Sequence, residues 1–233
     1  MIRLINAAGA QITLPPTMFL SKVPFDLYLG VQRLYGKNGA VVTGKSTLMP
    51  REFSLEGRIY YPNDKERIRM EADELLLFLM SPPIKVYQGD RFLHSYPLGA
   101  PQHWIDGGIE LDLQIPMIAP DPYWYGDEIS LTISSAQTIE VTGNAVAVPF
   151  IETTSSMPDL SVKNSHTGQE IKILGANGKV EIDNFNHSIT VDGERRVDLG
   201  NDEWLVHGFS LLPGENLITT NKEIKLIYRP RWL

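Results

Sequence analysis

Apolar and polar residues alternate along much of the chain, and a period of two predicts β-strands with one buried face. The clearest alternation covers residues 108–115, and a similar one covers residues 51–61. In the first of these segments the apolar face consists of Ile109, Leu111, Leu113 and Ile115. Because the 19 glycines and 16 prolines are spread along the chain, we expect many short strands joined by turns.

One segment has helical spacing instead. Its apolar positions recur every three or four residues, as on one face of an amphipathic helix, and they are Ile68, Ala72, Leu75, Leu76 and Leu79. Asn63 followed by Glu66 indicates a capping box at the start. The prolines after Ser81 end the pattern, because proline cannot continue a helix. We therefore predict one helix over residues 64–80, packed against its own sheet.

The second half of the chain has a different rhythm. From Thr138 onward, short apolar runs are separated by glycine, asparagine and aspartate, and we predict no helix there. Regular turn spacing of this kind favours a β-sandwich or jelly roll. The predicted fold is mainly β, with a β-sandwich-like domain containing one α-helix in residues 1–134 and a jelly-roll β-sandwich in residues 135–233.

The C-terminal segment predicts a chain reversal followed by a last strand. Pro213 and Gly214 are expected to interrupt one strand and turn the chain. Ile224, Leu226 and Tyr228 then share one face of a further strand. We expect this strand to close the edge of its sheet.

Composition and net charge argue against several classes of function. The 233 residues carry a net charge of −7 without a basic patch, which argues against a protein that binds nucleic acid through its phosphates. The absence of cysteine excludes disulfides, thiolate metal sites and cysteine nucleophiles, and it is typical of folding in a reducing cytosol. We expect neither a signal peptide nor a transmembrane segment, since no apolar run is long enough.

Residues 39–46 match the P-loop pattern GxxxxGK[ST]. A phosphate-binding loop requires a buried strand before it and a helix N-terminus after it. Here Pro50 and an alternating segment follow, and the residues between the two glycines are mainly β-formers. We therefore interpret this segment as a strand and a turn rather than a nucleotide site.

Other candidates for chemistry are equally weak. Glu110 and Asp112 share a strand face at about 6–7 Å, near the separation of glycosidase carboxylates, but a solvated strand face produces the same pattern more often. No GxSxG motif supports a serine nucleophile. The five histidines, which show no metal-ligand spacing, are His94, His103, His166, His187 and His207. We predict no catalytic, cofactor or metal site.

Aromatic residues leave one alternative function open. They could form a platform on which a sugar stacks, although most such residues lie in a core or an interface. The candidates are Trp104, Trp124, Trp204, Trp232, Tyr123 and Tyr125. Sugar binding through the jelly roll is therefore an alternative function. A jelly-roll fold does not by itself establish sugar binding.

Several segments together resemble the distal tail proteins of siphophages. The principal ones are residues 209–218 and 224–232, supported by Asp121–Trp124 in mid-chain and by Glu181–Asn184 before Ser188–Val191. The similarity covers essentially the whole chain, and the order and spacing of its parts agree. The chain has no long insertion of the kind that would supply a dedicated carbohydrate-binding module or receptor-binding arm.

The resemblance implies a structural protein without enzymatic activity. It implies an N-terminal β-rich domain that forms a hexameric ring around the tail channel and a galectin-like C-terminal jelly roll that projects outward. The ring would join the tail tube protein to the tip or baseplate and act as a hub for a tail-associated fibre or lysin protein, and for receptor-binding proteins.

The resemblance also implies a location. The protein would be made and assembled in the host cytoplasm and would reside in the virion at the tail tip or baseplate, without contacting nucleic acid or entering a membrane. Two alternatives remain at this point. One is an adhesin whose jelly roll binds host cell-wall carbohydrate, and the other is an enzyme that uses Glu110 and Asp112.

Overall fold

The chain divides into two compact units, residues 1–124 and 125–233. The structure is a computed structural model, and the residues that it describes are 2–21, 27–28, 31–33, 40–42, 47–62, 64–99, 102–106, 110–154 and 156–233. The sequence placed a boundary at residue 134 instead. The structure groups the residues just before that point with the second unit, because strand β14 (Ile129–Ile133) pairs with strand β23 (Ile224–Tyr228).

Antiparallel strands build the first unit. In chain order they are β1 (Ile2–Ile5), β2 (Gln11–Thr13), β3 (Phe19–Leu20), β4 (Leu27–Tyr28), β5 (Val31–Arg33), β6 (Ala40–Val42), β7 (Thr47–Leu48), β8 (Arg51–Tyr60), β9 (Ile84–Gln88), β10 (Arg91–Pro97), β11 (Gln102–Asp106) and β12 (Glu110–Ala119). Strand β13 (Trp124–Tyr125) spans the boundary between the units.

The main path of the first unit runs β2-β1-β9-β10-β12-β8-β3, with β11 also paired to β12. Strand β10 changes partner along its length: Arg91–Ser95 pair with β9, whereas Tyr96 and Pro97 pair with β12. Two hairpin-like pairs, β4–β7 and β5–β6, lie apart from this path. The predicted alternation is confirmed in β12, where every second residue from Leu111 to Ala119 is buried.

One long helix, α1 (Lys65–Leu79), packs its apolar face into the core of the first unit. Ile68, Ala72, Leu75 and Leu79 are buried as predicted, while Leu76 is only half-buried and Phe78 takes part instead. The capping residue differs from the prediction. Asp64 is the N-cap, and its carboxylate accepts a hydrogen bond from the backbone N–H of Arg67; Asn63 lies outside the described residues.

The second unit is a β-sandwich. Besides β14 and β23, its strands are β15 (Ala136–Val141), β16 (Phe150–Thr153), β17 (Met157–Asn164), β18 (Glu170–Gly178), β19 (Val180–Asp183), β20 (Ser188–Val191), β21 (Glu194–Arg195), β22 (Gly214–Thr220) and β24 (Arg231–Trp232). One sheet has the order β14-β23-β16-β19-β20-β21 and the other β15-β22-β17-β18. Both sheets bury their apolar faces in one core. The predicted mainly β fold with one main helix is confirmed.

Two details of the second unit contradict the sequence predictions. A short helix, α2 (Asp202–His207), follows a 3₁₀ turn at Val197–Leu199 where no helix was predicted, and it delivers Trp204 to the core. Strand β23 was predicted at a sheet edge, but it lies between β14 and β16. The reason is that β22 and β23 are consecutive along the chain yet belong to different sheets, so the last long strand enters the middle of one.

Candidate interaction surfaces

The P-loop pattern does not form a phosphate-binding loop in the part that the structure describes. Ala40–Val42, between its two glycines, are strand β6, which pairs in register with β5. The glycines, Lys45 and Ser46 lie outside the described residues. Strand β8 follows Pro50, as the sequence predicted.

Glu110 and Asp112 form an ion cluster with the neighbouring strand. Arg58 of β8 donates through Nε and Nη2 to the two carboxylate oxygens of Asp112, at 2.7 and 3.3 Å. Its Nη1 lies 3.0 Å from a carboxylate oxygen of Glu110. Asp112 and Arg58 are also register partners across the β12–β8 pair. One guanidinium therefore pairs with both carboxylates, which is the arrangement of a structural cross-strand pair.

The histidines are dispersed. Among the described residues no group of three or more His, Cys, Asp or Glu side chains is placed to hold a metal ion. His94 packs edge-on against Phe92 with ring centroids 5.1 Å apart, and His187 lies beside Trp204 at 5.8 Å. His166 and His207 are exposed, and the side chain of His103 lies outside the described residues.

No helix in the described part of the chain is long and apolar enough to cross a membrane.

The aromatic residues proposed as sugar contacts differ in burial. Trp204 is fully buried, and its indole N–H donates to the side-chain oxygen of Asn184 at 2.6 Å. Trp124 and Trp232 are half-buried, as are Tyr123 and Tyr125, and the side chain of Trp104 is outside the description. Trp204 is therefore a core residue, not a ligand contact.

A shallow cleft of ≈ 240 Å³ opens on the second unit and contains other aromatic residues. Tyr125, Phe150 and Phe185 line it, and Phe185 is 64% exposed. Its acidic groups have partners: Glu128 pairs with Arg229 at 3.0 Å, and Asp183 accepts from the backbone N–H of Phe185 at 2.9 Å. Sequence reasoning missed Phe150 and Phe185, because only tryptophan and tyrosine were considered as sugar contacts.

The first unit exposes many large apolar side chains. Phe19 is the clearest, because it is 56% exposed on β3, the last strand of the described sheet path. The others are Met49, Tyr60, Met70, Leu77, Met80, Tyr96 and Leu98. Among the described residues the first unit exposes eight large apolar side chains and the second unit seven, so this exposure does not by itself distinguish the two units. Exposed apolar patches can contact another protein, and an edge strand such as β3 is available for pairing between chains.

Comparison with known proteins shows what this fold and sequence are similar to. Residues 142–232 match the family described as siphovirus-type tail component, C-terminal domain. This part of the chain is therefore similar to that domain. No curated protein matches the sequence.

Two solved structures share the fold. The Dit protein of phage SPP1, described as a paradigm of the hub adsorption apparatus in phages that infect Gram-positive hosts, aligns over 100% of both chains at a TM-score of 0.74 and 15% identity. A chain of the phage P2 baseplate, in its activated conformation with Ca, aligns over 97% of both chains at a TM-score of 0.50 and 10% identity.

These matches confirm the resemblance to siphophage distal tail proteins. The matched family is described as a siphovirus-type tail component, and the two matched structures are a phage hub adsorption protein and a chain of a phage baseplate. The family and both structures are structural tail components rather than enzymes, as the sequence predicted. The ion cluster of Arg58, Glu110 and Asp112 agrees with a structural role, because it stabilises a strand pair.

Proposed function

We propose that this protein is a phage tail component that assembles into a hexameric ring at the tail tip and joins the tail tube protein to a tail-associated fibre or lysin protein. The observation that carries the proposal is the alignment with the SPP1 Dit structure over the full length of both chains. Both units take part in that alignment, so the similarity of fold extends over the whole chain. Receptor-binding proteins are further partners in this proposal, and assembly takes place in the host cytoplasm.

The first unit supplies the ring contacts in this proposal, and the second unit is the outward, galectin-like domain. A closed ring needs heterologous interfaces, in which one surface of each subunit meets a different surface of the next. The edge strand β3 with its exposed Phe19 is one such surface, and the exposed side chains of α1, Met70 and Leu77, are candidates for another.

Two matched variants test the assignment of the ring to the first unit. Phe19→Glu places a charge on the edge strand of the first unit, and we expect it to lower the fraction of hexamer in sedimentation velocity. Leu174→Glu is the control, since Leu174 is 67% exposed on β18, the last strand of a sheet in the second unit. It should leave the hexamer intact. Loss of the hexamer in the control but not in Phe19→Glu would overturn the assignment.

Sugar binding by the second unit is a second candidate, favoured by the cleft around Phe185. An exposed aromatic ring beside Tyr125 and Phe150 is suited to stacking on the apolar face of a sugar. If the cleft binds host cell-wall polysaccharide, Phe185→Ala should abolish the retention of the protein on that polysaccharide, and Leu174→Ala should not. Equal retention of both variants and the wild type would remove this candidate.

A further inference from the structure

Arg51, the first residue of β8, has buried hydrogen-bond donors without a partner among the described residues. Its Nε and Nη2 atoms have no hydrogen-bond acceptor among the described residues and are shielded from solvent. Folded proteins rarely leave buried donors unpaired, because each costs free energy that water would otherwise supply. For a guanidinium the cost is higher still, since the charge is also desolvated.

The same two atoms of other arginines in this chain bind carboxylates. Arg58, on the same strand, places Nε and Nη2 against the two oxygens of Asp112 at 2.7 and 3.3 Å. Arg196 places Nε and Nη2 against the two oxygens of Asp198 at 3.1 and 3.0 Å. These two N–H groups form a planar fork that matches a carboxylate. Arg51 carries the same fork, and no carboxylate of the described residues pairs with it.

A cavity of ≈ 250 Å³ adjoins Arg51 in the first unit. No acidic side chain is among its described lining residues, which besides Arg51 are Leu20, Ser21, Phe53, Gln88, Leu93 and Trp124. The Ser21 Oγ accepts a hydrogen bond from the backbone N–H of Ser54 at 2.8 Å, so its hydroxyl hydrogen can donate into the cavity. Burial lowers the pKa of Arg51, and a neighbouring carboxylate would oppose that effect.

We propose that this cavity binds a carboxylate, which Arg51 receives through Nε and Nη2. Both nitrogens are shielded in the structure, so the guanidinium must turn toward the cavity when the carboxylate binds. These two nitrogens make no hydrogen bond to the described residues that would oppose this rotation. A carboxylate fits the planar fork, and the cavity has room for a group of several heavy atoms, since one liquid water occupies about 30 Å³. The site goes beyond the proposed ring and does not require it.

The carboxylate has two possible sources, a small free anion or an acidic side chain of a second copy of the chain. Thermal unfolding of the full chain in sodium acetate and in sodium chloride, at equal ionic strength and neutral pH, tests the first source. We expect acetate to raise the melting temperature of the wild type and not of Arg51→Met. Arg58→Gln, which removes a guanidinium from the same strand, should keep the response to acetate.

The order of melting temperatures of the wild type and Arg51→Met should change when acetate is added. Without acetate, Arg51→Met should unfold at the same temperature as the wild type or higher, because it removes two shielded N–H donors that have no partner among the described residues. In acetate the wild type should be the more stable. Arg51→Lys keeps the charge but lacks the fork, and it should bind acetate about tenfold more weakly or worse. It also gives a result if Arg51→Met does not fold.

Sedimentation over a range of protein concentrations tests the second source. If the carboxylate belongs to a second copy, Arg51→Met should weaken self-association about tenfold or more, acetate should compete with the wild-type association, and Arg58→Gln should leave it unchanged. Either pattern supports the site. The proposal is overturned if the wild type and Arg51→Met respond identically to acetate and also associate identically.

Discussion

Asn216 shows how a single side chain fixes the C-terminal turn. It is fully buried, and its amide nitrogen donates to the carbonyl oxygens of Leu212 at 2.7 Å and Gly214 at 3.0 Å. Its amide oxygen accepts from the backbone N–H of Leu212 at 3.1 Å and from the side chain of Asn164 at 2.9 Å. The Pro213–Gly214 reversal is therefore closed by hydrogen bonds from Asn216, two residues after Gly214. The sequence predicted the turn but not the hydrogen bonds of Asn216 that close it.

Replacement of Asn216 by alanine should destabilise the second unit strongly. It removes four hydrogen bonds and leaves buried donors of Leu212 and Asn164 with fewer acceptors, so we expect the free energy of unfolding to fall by about 2–4 kcal/mol. Urea unfolding followed by tryptophan fluorescence measures the change, since Trp204 lies in the same core.

Asn221 provides the control for this measurement. It follows the other end of β22, is exposed, and accepts one hydrogen bond from the backbone N–H of Ser161 at 2.8 Å. Asn221→Ala should cost less than about 1 kcal/mol. Equal losses in the two variants would show that burial of the Asn216 network does not matter.

Glu152 carries the clearest electrostatic effect on the six-stranded sheet. It lies opposite Glu181 across the β16–β19 pair, where like charges would repel. Lys225 lies 3.2 Å from one oxygen of Glu152, and Lys179 bridges Glu152 and Glu181 at 3.5 and 3.4 Å. The hydrogen bond from Lys225 lowers the pKa of Glu152 below its ordinary value of 4.5, and the charge of Lys179 adds to this effect.

The stability that Glu152 provides should depend on pH. Because its pKa is lower in the folded state, its contribution is fully present above the unfolded pKa and is lost as the pH falls through the folded one. The difference in unfolding free energy between the wild type and Glu152→Gln should therefore be constant above about pH 5.5 and shrink below pH 4.5. Urea unfolding at a series of pH values measures it.

The matched control is Glu140→Gln on β15, an exposed residue without an ion pair among the described residues. It should show a much smaller difference from the wild type over the same pH range. A constant difference for Glu152→Gln down to pH 3 would contradict the assignment of the effect to its carboxylate.

At the scale of elements, α1 was the easiest to predict and its start the hardest. Fifteen residues provide four helical turns, so the apolar period is repeated often enough to be recognised. Its first residue depends on one side chain, and both Asn63 and Asp64 have the chemistry of an N-cap. The structure selects Asp64, whose carboxylate oxygen lies 3.0 Å from the Arg67 nitrogen.

Removal of the cap should loosen the first turn of α1. Asp64→Ala is expected to cost about 1 kcal/mol and to speed hydrogen exchange of the Arg67 amide about fivefold. Asp73→Ala removes the same group from an exposed position inside the helix and should leave that amide unchanged. Equal exchange rates in the two variants would mean that Asp64 does not cap the helix in solution.

The elements that sequence reasoning missed are short or depend on distant partners. Helix α2 has six residues, fewer than two turns, so no helical period can be read from it. The alternation in β23 identified a strand with a buried face correctly, but alternation does not indicate whether one or two strands flank it. The same limit applies to Arg58, whose role depends on the register of β8 against β12.

For the whole molecule, the sequence predicted the mainly β class, the single long helix and the resemblance to distal tail proteins. These predictions came from many short sequence patterns, each weak by itself, whose order along the chain agreed. The surfaces could not be predicted in the same way. Phe19, Phe185 and Arg51 became candidates only through exposure, a cleft and unpaired buried donors, which are properties of the folded chain.

The proposed hexameric ring is tested most directly by the mass of the purified full chain in solution. Native mass spectrometry, with negative-stain images of the same sample, should show one principal species of six chain masses that forms rings with a central opening. A protein that remains monomeric at every concentration, or that forms open filaments instead of closed rings, would contradict the account.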